Sequence, residues 1–201
     1  MSPEAGSAEA GSAEPAGTDA ILVLNAGSSS IKVELFAIVD GTPRPRISGQ
    51  VEGLGATPRA IAKDAAGTVL VDRQWADGEG GPTNHEAALG IIIDGLDRLA
   101  PDARVVAVGH RVVHGGPDFA APLSVDARAM ERLRALVPLA PLHQPHNLAG
   151  IEAAMRRFPA VPQVACFDTA FHRTHAWEAD TFALPAADYA RGVRRYGFHG
   201  L

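Results

Sequence analysis

The sequence predicts an α/β protein, a mixed β-sheet flanked by helices, and three observations predict it. Between Ile21 and Trp75 the apolar residues come in short runs or alternate, without a helical period, and Gly- and Pro-bearing turns separate them. From Thr83 onward, helical periods and short apolar runs take turns. A β-meander followed by αβαβ units gives a mixed sheet with helices on its faces. In such sheets ligands collect at strand carboxyl ends.

The first ordered stretch is Ile21 to Phe36, ILVLNAGSSSIKVELF. Ile21 to Leu24 form an apolar run, Asn25 to Ser30 are small turn formers, and Ile31, Val33 and Leu35 alternate with Lys32, Glu34 and Phe36. That pattern is strand, tight turn, strand. Gly27 lets a ligand approach the backbone, and Ser28, Ser29 and Ser30 add hydroxyl donors to the loop amides, so the turn can hold a phosphate. The Walker pattern GxxxxGK[ST] is absent, and the β-branched residues after the serines favour a second strand over a helix. The same residues also make an ordinary hairpin connection.

Three more strands follow at Arg46 to Val51, Arg59 to Asp64 and Thr68 to Trp75, and a linker, Ala76 to Pro82, leads into a helix. Thr83 and Glu86 have capping-box spacing at its start; Ala88 or Leu89, Ile92, Leu96 and Leu99 face inward, and it stops before Pro101. Val105 to Val113 reads as a strand, and Asp126 to Leu136 as a helix with Met130, Leu133 and Leu136 inward. Leu148 to Phe158 reads as a helix capped by Asn147, and Gln163 to Phe167 as a buried strand.

Residues 1 to 20 repeat an Ala-Gly-Ser-Ala-Glu theme without a hydrophobic segment, and are expected to be a disordered tail ahead of one domain, 21 to 201. The tail holds Glu4, Glu9, Glu14 and Asp19, leaving 19 acidic against 18 basic residues in the body. A near-neutral body gives no support to nucleic acid or membrane binding. Cys166 is the only cysteine, which excludes an intrachain disulfide and points to a reducing, cytoplasmic setting. Its apolar surroundings favour a buried structural thiol over a nucleophile.

Candidate chemistry gathers just past the strand ends. His110 and His114 stand about 13 Å apart on extended backbone, at about 3.3 Å per residue, and cannot share one ion. His143 and His146, in PLHQPHN, precede a helix, where His is commonly a polar cap, and no Cys or carboxylate at ligand spacing accompanies them. Arg111, between apolar residues and ahead of two glycines, is either a surface ion pair or a planar fork for a carboxylate or phosphate. Asp168 is either a turn acid or a group that positions magnesium or phosphate.

Five motifs in one order carry a resemblance: LNAGSSSIK (24 to 32), GHRVVHGG (109 to 116), APLHQPHN (140 to 147), FDTAFH (167 to 172) and YGFHG (196 to 200). Together they resemble the acetate kinase family, of the superfamily that includes sugar kinases and actin, over 21 to 201. The resemblance implies a ribonuclease-H-like, actin-like ATPase domain and direct in-line transfer between ATP and acetate to give acetyl phosphate, with Mg2+ or Mn2+. It implies that Asn25, Gly27, Ser28, Ser29, Ser30 and Lys32 approach the transferred phosphoryl group, with Asn25 also near the metal. Arg111 would hold the substrate, Val113 and Leu142 would line a pocket for the acyl methyl, His143 and His199 would bond phosphoryl oxygens, and Asp168 would help place the metal and orient the nucleophile.

Family members are about twice this length and homodimeric, and YGFHG normally continues into a second domain. That domain brings a second arginine, a metal-ligating glutamate and the adenosine pocket. The family's usual Gln-Thr-Met-Pro after FDTAFH is here Arg173-Thr174-His175-Ala176. The expectation is therefore the amino-terminal half of an acetate kinase, or of a propionate or butyrate kinase, inactive alone. The alternative is a stand-alone, non-catalytic phosphate- or nucleotide-binding module.

Overall fold

A computed structural model describes residues 17–76 and 78–201. Eight strands form one sheet in the order β5-β4-β3-β2-β1-β6-β8-β7. Strands β1 (Thr18–Ala26), β2 (Ser30–Val39), β3 (Thr42–Glu52), β4 (Arg59–Asp64) and β5 (Val69–Gln74) make an antiparallel meander. On its other side β1 runs parallel to β6 (Ala103–Val112), and β6 parallel to β8 (Gln163–Phe167). A two-residue strand β7 (Leu123–Ser124), too short to leave a sequence signal, closes the edge antiparallel to β8. Among the described residues no helix is long and apolar enough to cross a membrane.

Alternation decides which face each strand buries. Leu22 and Leu24 on β1 and Ile31, Val33 and Leu35 on β2 are buried against Ala88, Leu89, Ile92 and Ile93 of helix α1 (His85–Leu99). Helix α3 (Gln144–Arg157) adds Ala153 and Ala154, and α2 (Ala127–Arg134) packs Met130 and Leu133 with Ile151 and Phe167. Each fully buried Leu, Ile or Phe contributes about 1.5 to 3 kcal/mol. These helices flank the mixed sheet, as the sequence pattern predicts, and cover the face that buries these residues. The opposite face presents Val23, Asn25, Lys32, Glu34 and Arg111 to an open cavity.

Several local expectations change. Strand β1 begins at Thr18, so Thr18, Asp19 and Ala20 belong to the sheet and not to a tail; residues 1–16 lie outside the described residues. Asp19 pairs with Arg104 on the neighbouring strand, which holds the chain in register there. Asn84, not Thr83, caps α1, its side chain accepting from the Ala87 amide. Asn147 caps nothing: α3 starts at Gln144, and Asn147 is a buried residue of its first turn.

Candidate active site

The turn between β1 and β2 is a tight hairpin of Gly27, Ser28 and Ser29, with the Gly27 amide donating to the Ser30 carbonyl at 2.8 Å. Ser28 and Ser29 are exposed. Below them, Asn25 and Lys32 are register partners and project together onto the open face. They line a cavity of about 520 Å3 with Glu34, Gln50, Lys63 and Arg111. Strand alternation sends these side chains to one face, and the register of the neighbouring strands brings them together there.

Two residues that sequence reasoning did not assign to the site hold the other side of this hairpin. Asn147 donates through Nδ2 to the Ala26 carbonyl at 2.6 Å and accepts through Oδ1 from the Val113 amide at 2.9 Å. His85 Nε2 lies 2.6 Å from the Gly27 carbonyl oxygen; a carbonyl only accepts, so that nitrogen carries the proton. The His85 ring stacks on His146 at 4.8 Å between centroids. Burial, then His85 and His143, lower the His146 pKa, which favours the neutral form of the stacked ring. Asn147 could have been found by its place after Pro145, since a proline in a first helical turn puts the next asparagine inside the helix.

Arg111 lies within β6, with Cys166 as its register partner on β8. Its guanidinium makes a planar fork to Asp168, Nε to Oδ1 at 2.9 Å and Nη2 to Oδ2 at 2.6 Å. The hydrogen bond it donates to Asp168 raises the Arg111 pKa further, so the guanidinium stays charged. Cys166 is half-buried on the open face, not sealed in the core, and burial pushes its thiol pKa up.

The structure brings GHRVVHGG, FDTAFH and YGFHG together. The Gly115 amide donates to Thr169 Oγ1 at 2.9 Å, and the Gly200 amide to the Asp168 carbonyl at 2.8 Å. A Cβ at Gly200 would stand 2.6 Å from Phe171 Cβ, so the approach needs glycine. His199, beside it, is exposed and has φ of 59°, a left-handed conformation. His114 is buried, accepts from the Gly116 amide through Nδ1, and meets the Tyr196 ring edge-on at 4.4 Å.

Other predicted residues are less engaged. His143 occupies the position before α3 but makes no side-chain cap and is exposed. Leu142 is 75% exposed and stands in solvent instead of walling a pocket, while Val113 is half-buried. His110 is buried and bonded to Gln163 Oε1 at 2.8 Å. The departure Arg173-Thr174-His175 reaches the last motif: Arg173 lies over the Tyr196 ring and bonds the buried Asp180 at 2.7 Å. Tyr189, Arg194 and His175 converge on the same carboxylate.

Among the described residues, the side chains gathered here do not by themselves form a metal site. Mg2+ needs oxygen ligands in near-octahedral array, yet Asn25 neighbours Lys32 and Arg111, and both Asp168 oxygens are engaged by Arg111. Among the described residues no group of three or more His, Cys, Asp or Glu could hold a metal ion.

The model of the acetokinase family matches residues 20–201. The acetate kinase of Rhizobium meliloti is 48% identical over 188 residues, covering 91% of this chain and 46% of the relative. That of Nitrobacter hamburgensis is 50% identical over 188 residues, covering 91% and 45%. The chain thus spans about half the length of these relatives. The crystal structure of Porphyromonas gingivalis acetate kinase superposes with a TM-score of 0.78 at 33% identity, over 90% of this chain and 45% of that one. A propionate kinase from Francisella tularensis gives 0.76 at 33%, with the same coverage.

Proposed function

The chain belongs to the acetokinase family, and from that premise we propose that it supplies the phosphate-binding half of an ATP-dependent acetate kinase, making acetyl phosphate by direct in-line transfer. The observation that carries this reading is the open cavity where Asn25, Lys32 and Arg111 converge near the carboxyl ends of β1 and β6, with the Gly27 to Ser30 turn following directly on β1. The Gly27 to Ser30 turn and Lys32 would hold the migrating phosphoryl group, and Asn25 would bond its oxygens. Arg111 would take the substrate carboxylate on leaving Asp168, which is then free to orient the nucleophile. His143 and His199, exposed on loops, would close over the phosphoryl oxygens, and Val113 and Leu142 over the acyl methyl, once the second half of the protein faces them. Magnesium or manganese would arrive with the nucleotide and neutralise phosphate charge.

Propionate is a second substrate reading, favoured by the match to a propionate kinase at the same identity as to an acetate kinase. A hydroxamate assay for acetyl phosphate, with ATP, magnesium and acetate or propionate, tests the proposal. The 201-residue chain alone should give little product, and the chain joined to a second acetokinase domain should turn over. Full turnover by the short chain would overturn the division of labour; none in the joined protein would favour a non-catalytic binding module.

A further inference from the structure

A loop that grips an anion must turn its carbonyl oxygens away, because a carbonyl within reach of a phosphate repels it as strongly as an amide attracts it. In the Ala26 to Ser30 hairpin the carbonyls of Ala26, Gly27, Ser29 and Ser30 are all taken by internal donors: Asn147 Nδ2, His85 Nε2, the Leu54 amide and the Gly27 amide. The last two follow from the chain's own path. The first two are side chains delivered from separate helices, α3 and the start of α1.

Their placement is specific to this task. Asn147 is 4% exposed and uses both ends of its amide, Nδ2 on the hairpin and Oδ1 on Val113, so one side chain joins the phosphate turn to the strand that carries Arg111. Only a neutral group with one donor and one acceptor end meets both demands. The approach of α3 to the hairpin is close, since a Cβ at Gly150 would lie 3.0 Å from Ala26 Cβ. His85, 9% exposed and fixed by its stack on His146, reaches the Gly27 carbonyl from the far side of the turn.

We propose that His85 and Asn147 are positioning residues for phosphate recognition: they pull the Ala26 and Gly27 carbonyls inward, so that neither faces a bound phosphoryl group. This rests on the phosphoryl-transfer reading above, in that it takes the hairpin to be the anion site.

The test is a titration of the labelled 201-residue chain with inorganic phosphate, following the amide signals of Gly27, Ser28 and Ser29 by NMR, with hydrogen exchange of the Gly27 amide read in parallel. Wild type should show saturable shifts. His85→Ala and Asn147→Ala should each raise the midpoint about tenfold, the equilibrium equivalent of one buried hydrogen bond, and speed Gly27 exchange while signals elsewhere stay put. His85→Gln, whose amide nitrogen reaches the same carbonyl, should stay within about twofold of wild type. Should an alanine variant fail to fold, His85→Asn and Asn147→Ser, polar but too short to reach, take its place. Unchanged midpoints in the folded variants, or a His85→Gln as weak as His85→Ala, would overturn the inference. A wild-type chain whose hairpin amides ignore phosphate overturns the phosphoryl-transfer reading itself, a failure visible before any variant is made.

Discussion

Arg111 and Asp168 grip each other through two parallel hydrogen bonds, from an arginine side chain 35% exposed to an aspartate side chain only 3% exposed. The fork that was expected to hold a substrate is already filled, by the carboxylate that was expected to act separately. The asymmetry in exposure sets the cost of breaking the pair. Removing Arg111 strands a buried carboxylate, whereas removing the Asp168 charge leaves a cation that water can reach. Arg111→Ala should therefore destabilise the chain by about 1 to 3 kcal/mol, a buried-pair penalty discounted for the half-open arginine, and Asp168→Asn by less. Urea unfolding of both variants checks the order. In the joined kinase, Arg111→Ala should also lower kcat and kcat/KM together, by about 2 to 4 kcal/mol, and Arg111→Lys by less.

Gly200 docks the last motif on the Asp168 carbonyl at a distance that leaves no room for a methyl group. Gly200→Ala should cost about 1 to 3 kcal/mol of overpacking, or release the segment instead. In either case the Gly200 amide should lose its protection from hydrogen exchange, with β1 and β6 unaffected. Retained protection would mean that the motif docks by other contacts.

Asp180 anchors the same segment from within. Its carboxylate, buried, receives Arg173, Tyr189 and Arg194, and the Arg173 hydrogen bond, ahead of the opposing effect of burial, holds its pKa well below the usual carboxylate range. Asp180→Asn should destabilise by about 2 to 4 kcal/mol at neutral pH, because it leaves two guanidinium groups facing each other. The sign with pH follows from the depressed folded value. The stabilisation is complete above the unfolded pKa, near 4, and is lost as pH falls below it toward the folded pKa, because the unfolded chain takes the proton first. Unfolding measured from pH 6 down to pH 2.5 should fall more steeply in wild type than in Asp180→Asn.

Val113 is tied to the hairpin through its amide, so its side chain is the adjustable part of that position. In the joined kinase Val113→Ala should raise the propionate-to-acetate ratio of kcat/KM, by up to about 1 to 3 kcal/mol for the extra methylene admitted. An unchanged ratio removes Val113 from the acyl pocket.

What the sequence by itself determined is what lies in local pattern. Alternation at 21 to 36 and the helical period at 85 to 99 reflect which side chains can be buried together, and that is written in the order of residues. The hairpin with its glycine and serines was legible for the same reason, as was the nearness of Arg111 and Asp168 to one rim, since parallel strands align their ends. Only the tertiary structure decided what those groups do to one another. That Arg111 spends its fork on Asp168 depends on the register of β6 against β8, 57 residues apart in sequence. That Asn147 is a clamp and not a cap depends on α3 starting at Gln144 and reaching Ala26 across 121 positions. Hydrogen bonds between distant residues leave no period in the sequence, because their geometry is fixed by how the elements pack and not by spacing along the chain.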